Sequence, residues 1–186
     1  MPIPQSGYVD IQVNGFSGVN FSSSSLTLED IACAAEALYA EGTTAFCPTL
    51  VTSPKKVYER NIPLLARAME QDLPGARILG IHIEGPFLNE DACGAHPEEL
   101  LRAPDLDLFA SWKDMADSAL RILTLAPELP GASDLVAKAA SAGVTVALGH
   151  HMADKDDIQS AVEHGATLCT HLGNGIAHTL PRHPNP

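Results

Sequence analysis

Basic residues, paired cysteines and long apolar runs are scarce or missing in this chain. Its 186 residues include 11 Lys and Arg against 23 Asp and Glu, a formal net charge of −12. Nucleic acids and anionic membranes are themselves polyanions, so this charge balance disfavours both as partners. No apolar run approaches the roughly 18 residues of a membrane span. We therefore expect neither a nucleic-acid partner nor a membrane span.

The cysteines do not form a disulfide framework. Cys33, Cys47, Cys93 and Cys169 are scattered along the chain, with no C-x-x-C pair. Reduced, buried thiols are the expectation in a chain of this length. Residues 1–6 lack the basic and apolar regions of a signal peptide, and the cytoplasm is the expected compartment.

The chain does show a regular alternation of strand and helix patterns. Short apolar, β-branched runs alternate with segments whose apolar residues recur at helical spacing. Such alternation with short links is typical of parallel strands joined by right-handed crossovers. The predicted strands are 7–13, 43–52, 76–83, 120–126, 144–148 and 166–169.

Several boundaries are predicted from individual residues. Ser53 before Pro54 predicts the N-cap of the second helix, and Ser133 that of the fourth. Pro48 should end the sheet pairing of the second strand, because proline donates no ladder hydrogen bond. Residues 15–25 are predicted to form a loop.

Polar residues fall repeatedly at the carboxyl ends of the predicted strands. A (β/α)₈ barrel has its active site at that face, whereas a doubly wound sheet binds ligands at one switch point. We therefore predict an α/β fold, a partial TIM-type barrel of about six βα units. Residues 1–186 would be the N-terminal portion of the barrel domain, without its last strands. The strand-end residues are Gln12, Asn14, Glu84, Glu128, His150, His171 and Asn174.

Three of these residues form a candidate metal site. An unpaired buried carboxylate costs several kcal/mol or more, so Glu84 at a strand end should face a cation. His150 and His171 end two further strands, and two His with one carboxylate match a three-ligand catalytic zinc site. The alternative for each histidine is a hydrogen-bonded structural role.

Motifs along nearly the whole chain carry a resemblance to a known family. They are 7–15 (GYVDIQVNG), 42–44 (GTT) with 48–50 (PTL), 82–88 (HIEGPFL), 94–96 (GAH), 123–128 (LTLAPE), 149–150 (GH) and 170–175 (THLGNG). In this order they resemble the N-acetylglucosamine-6-phosphate deacetylases of the amidohydrolase superfamily. The resemblance implies metal-dependent hydrolysis of the acetamide of N-acetylglucosamine 6-phosphate to glucosamine 6-phosphate and acetate, in amino-sugar catabolism.

The resemblance also implies roles for residues around the metal. Glu84, His150 and His171 correspond to the metal ligands, and His96 to a histidine that polarises the acetamide carbonyl. Many superfamily members carry a His-x-His pair where residues 12–14 read Gln-Val-Asn. One essential divalent metal is therefore expected, zinc first, with Fe, Mn or Co as alternatives.

Further positions correspond to the substrate site of that family. Ala95 matches a backbone contact to the substrate, and Asn174 and Gly175 match a loop that contacts the sugar phosphate. Arg182 matches an arginine that binds the phosphate, often from a neighbouring subunit, so a homodimer is expected of the full-length protein. The family's general acid/base is an aspartate after the eighth strand, and no residue here matches it.

Some residues depart from the family or allow two interpretations. His151, where the family commonly has Ser, either supports the ligand set or is an alternative ligand. Gln12 and Asn14 either belong to the site or merely hydrogen-bond a loop, and Glu128 is either a supporting carboxylate or a helix-start charge. His82 is expected to point away from Glu84 and pack among the helices.

Two alternatives to the deacetylase function remain at this level. The first is an inactive barrel fragment that binds metal without turnover. The second is a related amidohydrolase acting on another acyl-amino sugar or a cyclic amide. We also expect residues 1–186 to lack the β-sandwich that usually precedes the first strand in the family.

Overall fold

A computed structural model describes residues 7–174, 176–177, 179–180 and 182. Within this part of the chain, nine strands and five α-helices alternate much as the sequence predicts. The helices are α1 (Leu28–Ala40), α2 (Lys55–Met69), α3 (Leu106–Ala116), α4 (Ala132–Ser141) and α5 (Lys155–His164). The strands are β1 (Tyr8–Val13), β2 (Gly15–Phe16), β3 (Val19–Asn20), β4 (Thr43–Val51), β5 (Arg77–Ile78), β6 (Ile81–Glu84), β7 (Leu120–Leu125), β8 (Thr145–Leu148) and β9 (Ala166–Cys169).

The main sheet follows the order of the chain. Its strands lie in the order β1-β4-β6-β7-β8-β9, with every neighbouring pair parallel, and β5 adds a short parallel pairing to β4. The order never reverses, as it would at the switch point of a doubly wound sheet. The sheet is therefore part of a barrel wall, and the predicted partial (β/α)₈ barrel is confirmed.

Strand alternation separates an outer apolar layer from an inner face that carries polar residues. On β6, Ile81 and Ile83 pack into the large core beneath the helices, whereas His82 and Glu84 face the other way. The helix side of this core is centred on Trp112, whose ring lies 5.0 Å from Tyr58 and 5.5 Å from Phe87 between centroids. Burial of these large rings supplies much of the apolar area that holds the helices against the sheet.

Pro48 does not end the sheet pairing of its strand, contrary to the prediction. It lies inside β4, and residues Thr49–Val51 continue the pairing with β6. Pro48 faces Val13, the last residue of β1, in the final register pair of those two strands. The missing N–H therefore falls where one neighbour ends, and proline is tolerated there.

Two predicted helix caps are also wrong. α2 begins at Lys55 with Pro54 at the N-cap, because the Ser53 hydroxyl donates to the Val51 carbonyl at 2.8 Å instead. α4 is preceded by Gly131, with φ 86°, and Ser133 lies in the first turn. The Ser133 hydroxyl is 3.3 Å from that of Ser160 on α5.

The predicted loop after β1 contains a small hairpin. β2 and β3 pair antiparallel through Gly15–Asn20 and Phe16–Val19. Ser17 and Gly18 have φ of 50° and 84°, the positive values that two-residue hairpin turns require. Strands of two residues are too short to produce a periodic pattern, so the sequence did not reveal them.

The thiols are free, as predicted, but they are not all buried. Cys47 is buried, whereas Cys33 and Cys169 are exposed. None of the helices in the described ranges is long and apolar enough to cross a membrane.

Candidate metal centre

Three strand ends present the candidate ligands to one point. Glu84 is the last residue of β6, His150 follows β8 and His171 follows β9. The carboxyl ends of parallel strands meet at one rim of a barrel, so residues far apart in sequence become neighbours. Glu84 and His150 are buried, with exposed fractions of 1% and 6%, whereas the His171 side chain is 28% exposed.

The three ligating atoms form an equilateral triangle. Glu84 Oε1 lies 3.1 Å from Nε2 of His150 and 3.1 Å from Nε2 of His171. The two Nε2 atoms are also 3.1 Å apart, with the rings nearly perpendicular at 89°. The structure thus brings together the three residues that the sequence singles out, in an arrangement that can hold a metal ion.

The tautomers of both histidines follow from the hydrogen bonds that their Nδ1 atoms make. His150 Nδ1 lies 2.9 Å from the Ala92 carbonyl, and His171 Nδ1 lies 2.8 Å from the Asn174 carbonyl. A ring nitrogen that faces a carbonyl must donate, so each neutral ring carries its lone pair on Nε2.

This donor set fits a divalent cation. Two nitrogen lone pairs and a carboxylate oxygen within 3.1 Å of one another repel each other unless a positive charge lies between them. Imidazole nitrogen and carboxylate oxygen are the donors that catalytic zinc commonly takes.

Both ligand histidines have an unusual backbone. His150 has φ 54° and His171 has φ 30°, in the left-handed region that non-glycine residues rarely adopt. Such residues cost about 1–3 kcal/mol each and cluster at functional sites, where the surrounding structure maintains them. Here the positive φ occurs where the chain leaves β8 at His150 and β9 at His171, and it directs each imidazole ring into the barrel mouth.

Burial and charge act in opposite directions on the ligands. Burial raises the pKa of Glu84, but the nearby imidazoles of His150 and His96 outweigh it and hold that pKa well below its usual range. Burial lowers the pKa of His150, but the Glu84 carboxylate and the Ala92 carbonyl outweigh burial and raise it. The carboxylate is therefore ionised.

His96 lies next to the triangle. Its Nε2 is 3.9 Å from Glu84 Oε1, and its ring meets that of His150 edge-on at 4.5 Å between centroids. The residue belongs to the loop between β6 and α3, which also supplies Ala92. His96 is therefore in reach of a group bound at the metal centre.

A cavity of about 870 Å³ opens over these residues. The β2–β3 hairpin forms one wall and the loop after β9 another. Of the residues expected at the site, Gln12, Asn14, Ala95 and Asn174 line the cavity beside the three ligands and His96. The volume suits a small molecule.

Comparison with known proteins identifies the family. Residues 6–182 match the model of the amidohydrolase family. The chain belongs to the amidohydrolase family. It is 41% identical to the N-acetylglucosamine-6-phosphate deacetylase of Danio rerio over 182 residues, 95% of this chain and 44% of that protein.

Two further relatives extend the comparison. The crystal structure of the N-acetyl-D-glucosamine-6-phosphate deacetylase from Mycobacterium smegmatis superposes with a TM-score of 0.86 at 36% identity, covering 97% of this chain and 46% of that one. An N-acetylgalactosamine-6-phosphate deacetylase of Shewanella sp. (strain ANA-3) is 34% identical, covering 96% of this chain and 44% of that protein. The amidohydrolase chain thus spans about half the length of the curated relatives it matches.

Other predicted site residues of this amidohydrolase lie outside the cavity lining. Glu128 Oε1 accepts hydrogen bonds from the Asn89 side chain at 2.9 Å and from the Met152 N–H at 2.6 Å. It therefore ties the loop after β6 to the loop after β8, which carries His150. A supporting role agrees with these contacts.

His151, Arg182 and Gly175 complete the set. His151 Nδ1 accepts from the Ala153 N–H at 3.2 Å, and burial lowers the pKa of its ring. Among the described residues, Arg182 is exposed and is not part of the cavity lining. Gly175 lies outside the described residues.

The prediction for His82 is wrong. Residues i and i+2 of a strand share a face, so His82 lies on the same inner side of the barrel as Glu84. Its Nδ1 is 3.0 Å from the Ile11 carbonyl and its Nε2 is 2.7 Å from Thr124 Oγ1. Strand alternation was the signal that identifies this inner position.

Proposed function

We propose that this chain carries the metal centre and part of the substrate site of a deacetylase for N-acetylglucosamine 6-phosphate. The products would be glucosamine 6-phosphate and acetate. The observation that carries the proposal is the triangle of two lone-pair nitrogens and one carboxylate oxygen, 3.1 Å on each side, beneath the cavity. The names of the relatives support the choice of substrate.

Zinc is the metal we propose for this centre, with Fe, Mn or Co as alternatives. The ligand set is Glu84, His150 and His171, and the carbonyls of Ala92 and Asn174 hold the two rings in the tautomer that a metal requires. A divalent ion bound there supplies a Lewis acid for the acetamide carbonyl and lowers the pKa of a water molecule.

The chain's own residues would bind and orient the substrate. His96 would donate from Nε2 to the acetamide oxygen as negative charge develops on it. Ala95 and Asn174 would contact the sugar from the cavity wall, and Gly175 and Arg182 the phosphate, for which a planar guanidinium is well suited. Gln12 and Asn14 line the same cavity and would contact the acetyl group or the sugar.

A second candidate function is metal binding without turnover. In the described residues, β1 and β9 each pair on one side, and Tyr8 and Val9 are 76% and 58% exposed. No described residue matches a general acid/base of the family. The proposed barrel domain, homodimer and cytoplasmic location all concern the whole protein and remain predictions.

An acetate assay separates these functions. The zinc-loaded chain is incubated with N-acetylglucosamine 6-phosphate, its galactosamine isomer, or N-acetylglucosamine without phosphate. Release of acetate from the first substrate, lost in Glu84→Gln and retained in the matched surface variant Glu59→Gln, supports the deacetylase. Stoichiometric zinc with calorimetric binding of the sugar phosphate but no acetate identifies the second function. A chain that binds no zinc overturns both.

A further inference from the structure

We propose that Thr52 is a positioning residue that fixes the tautomer of His96, with the ring hydrogen on Nε2 and directed at the metal centre. The catalytic purpose of that hydrogen rests on the proposed function, whereas the tautomer itself does not. Thr52 directly follows β4 and is 3% exposed. It is 44 residues away from His96 in sequence.

Two groups of Thr52 converge on one nitrogen of His96. The Thr52 hydroxyl lies 2.7 Å from His96 Nδ1, and the Thr52 backbone N–H points at the same nitrogen from 3.3 Å. A backbone N–H can only donate. A hydrogen on Nδ1 would therefore point at another hydrogen, so Nδ1 must carry the lone pair and the single ring hydrogen must lie on Nε2.

The peptide group that supplies this N–H is oriented from its other side. The Val51 carbonyl, which shares that peptide with the Thr52 N–H, accepts hydrogen bonds from the Ser53 hydroxyl at 2.8 Å and the Tyr58 hydroxyl at 3.3 Å. In a trans peptide the C=O and N–H point in opposite directions. Two donors on the carbonyl therefore keep the N–H directed at His96.

The Thr52 hydroxyl occupies space that is open only because residue 85 is glycine. A Cβ atom at residue 85 would lie 2.3 Å from Thr52 Oγ1, and Gly85 has φ +80°. A side chain there would displace the hydroxyl from His96, and it would also be strained by the backbone conformation. Gly85 directly follows the ligand Glu84, so the same turn serves both the metal centre and the tautomer of His96.

The tautomer determines what His96 offers to the centre. Its Nε2 lies 3.9 Å from Glu84 Oε1, on the cavity side of the triangle. With the hydrogen on Nε2, the ring can donate to an oxygen atom of a molecule in the cavity. The opposite tautomer would present a lone pair there and would repel the same oxygen.

Nitrogen NMR of the histidine rings tests this inference without requiring turnover. The zinc-loaded, ¹⁵N-labelled chain is examined at pH 8 by two-bond proton–nitrogen correlation, and the His96 signals are assigned by their loss in His96→Gln. We expect a protonated Nε2 and an unprotonated Nδ1. A wild-type His96 ring that carries hydrogen only on Nδ1, or on both nitrogens, overturns the proposal before any Thr52 variant is made.

Two variants test the part played by the Thr52 hydroxyl. Thr52→Ser and Thr52→Val both keep the backbone N–H at residue 52, so both should keep Nδ1 unprotonated. Thr52→Val should shift the Nδ1 signal, because it removes the hydroxyl at 2.7 Å, and an unshifted signal overturns the role of the hydroxyl. A hydrogen on Nδ1 in Thr52→Val overturns the role of the backbone N–H. Zinc content measured on each variant reports whether the site is still folded. If the expected tautomer is found but no acetate is released, the proposed deacetylase function is wrong and this inference still stands.

Discussion

His82 and Thr124 are joined by a hydrogen bond of 2.7 Å inside the barrel, below the metal centre. His82 Nδ1 donates to the Ile11 carbonyl, so Nε2 accepts from the Thr124 hydroxyl. Thr124 in turn accepts from Thr170, also at 2.7 Å. These bonds link the inner faces of β1, β6 and β7 to the residue preceding His171. They therefore connect the strand that ends in Glu84 to the residue next to His171.

Loss of the Thr124 hydroxyl should destabilise the chain. Thr124→Val keeps the shape but leaves the His82 acceptor and the Thr170 donor unpaired in a buried site. Each unsatisfied group costs about 1–3 kcal/mol, so we expect the free energy of unfolding in urea to fall by about 2–6 kcal/mol. Thr145→Val, at an exposed position of β8, should change it by less than about 0.5 kcal/mol. Equal effects of the two variants would contradict the role of this network.

Loss of a ligand should abolish stoichiometric zinc. His171→Ala removes one of the three converging lone pairs, and the remaining two donors leave the ion with too few protein ligands to survive desalting. Elemental analysis after zinc loading and desalting measures the effect. The control is His164→Ala, which removes an exposed imidazole on α5 and should retain one zinc per chain. Retained zinc in His171→Ala would locate the metal elsewhere.

Zinc affinity should depend on pH through His150. The pKa of His150 is raised because the Glu84 carboxylate and Ala92 carbonyl outweigh burial. As the pH falls through that raised pKa, a proton occupies Nε2 and competes with the metal. The loss of affinity should therefore begin above about pH 6.5, the ordinary imidazole pKa. Calorimetry at pH 6.5–8 in two buffers of different ionisation enthalpy measures the protons released, and a buffer-independent binding enthalpy would contradict this competition.

The cysteines should differ in reactivity. Burial, assisted by Asp10, raises the pKa of the Cys47 thiol to about 11, and the thiolate is the reactive form. At pH 8 we expect iodoacetamide to modify the exposed Cys33 and Cys169 and to leave Cys47 unmodified, as measured by peptide mass spectrometry. Urea-unfolded chain is the control in which Cys47 should also react. Modification of folded Cys47 at the rate of Cys33 would show that the interior opens.

The order of elements was readable from the sequence because periodicity and caps act over a few residues. Asp154 and Gly165 bound α5, since a side chain and a backbone conformation close by determine each end. Local rules failed where another acceptor competes or where a neighbouring strand ends. Ser53 donates to the Val51 carbonyl instead of capping α2, and Pro48 is accepted inside β4 because β1 ends opposite it.

For the candidate site, the sequence by itself determined which residues stand at strand ends, and Glu84, His150 and His171 were identified on that basis and by family resemblance. Only the tertiary structure decided that their ligating atoms meet at 3.1 Å and which nitrogen of each ring is free. That choice depends on the carbonyls of Ala92 and Asn174, and for His96 on Thr52, 44 residues away. A tautomer is set by the hydrogen-bond partner that the fold supplies, and no local pattern in the chain encodes it.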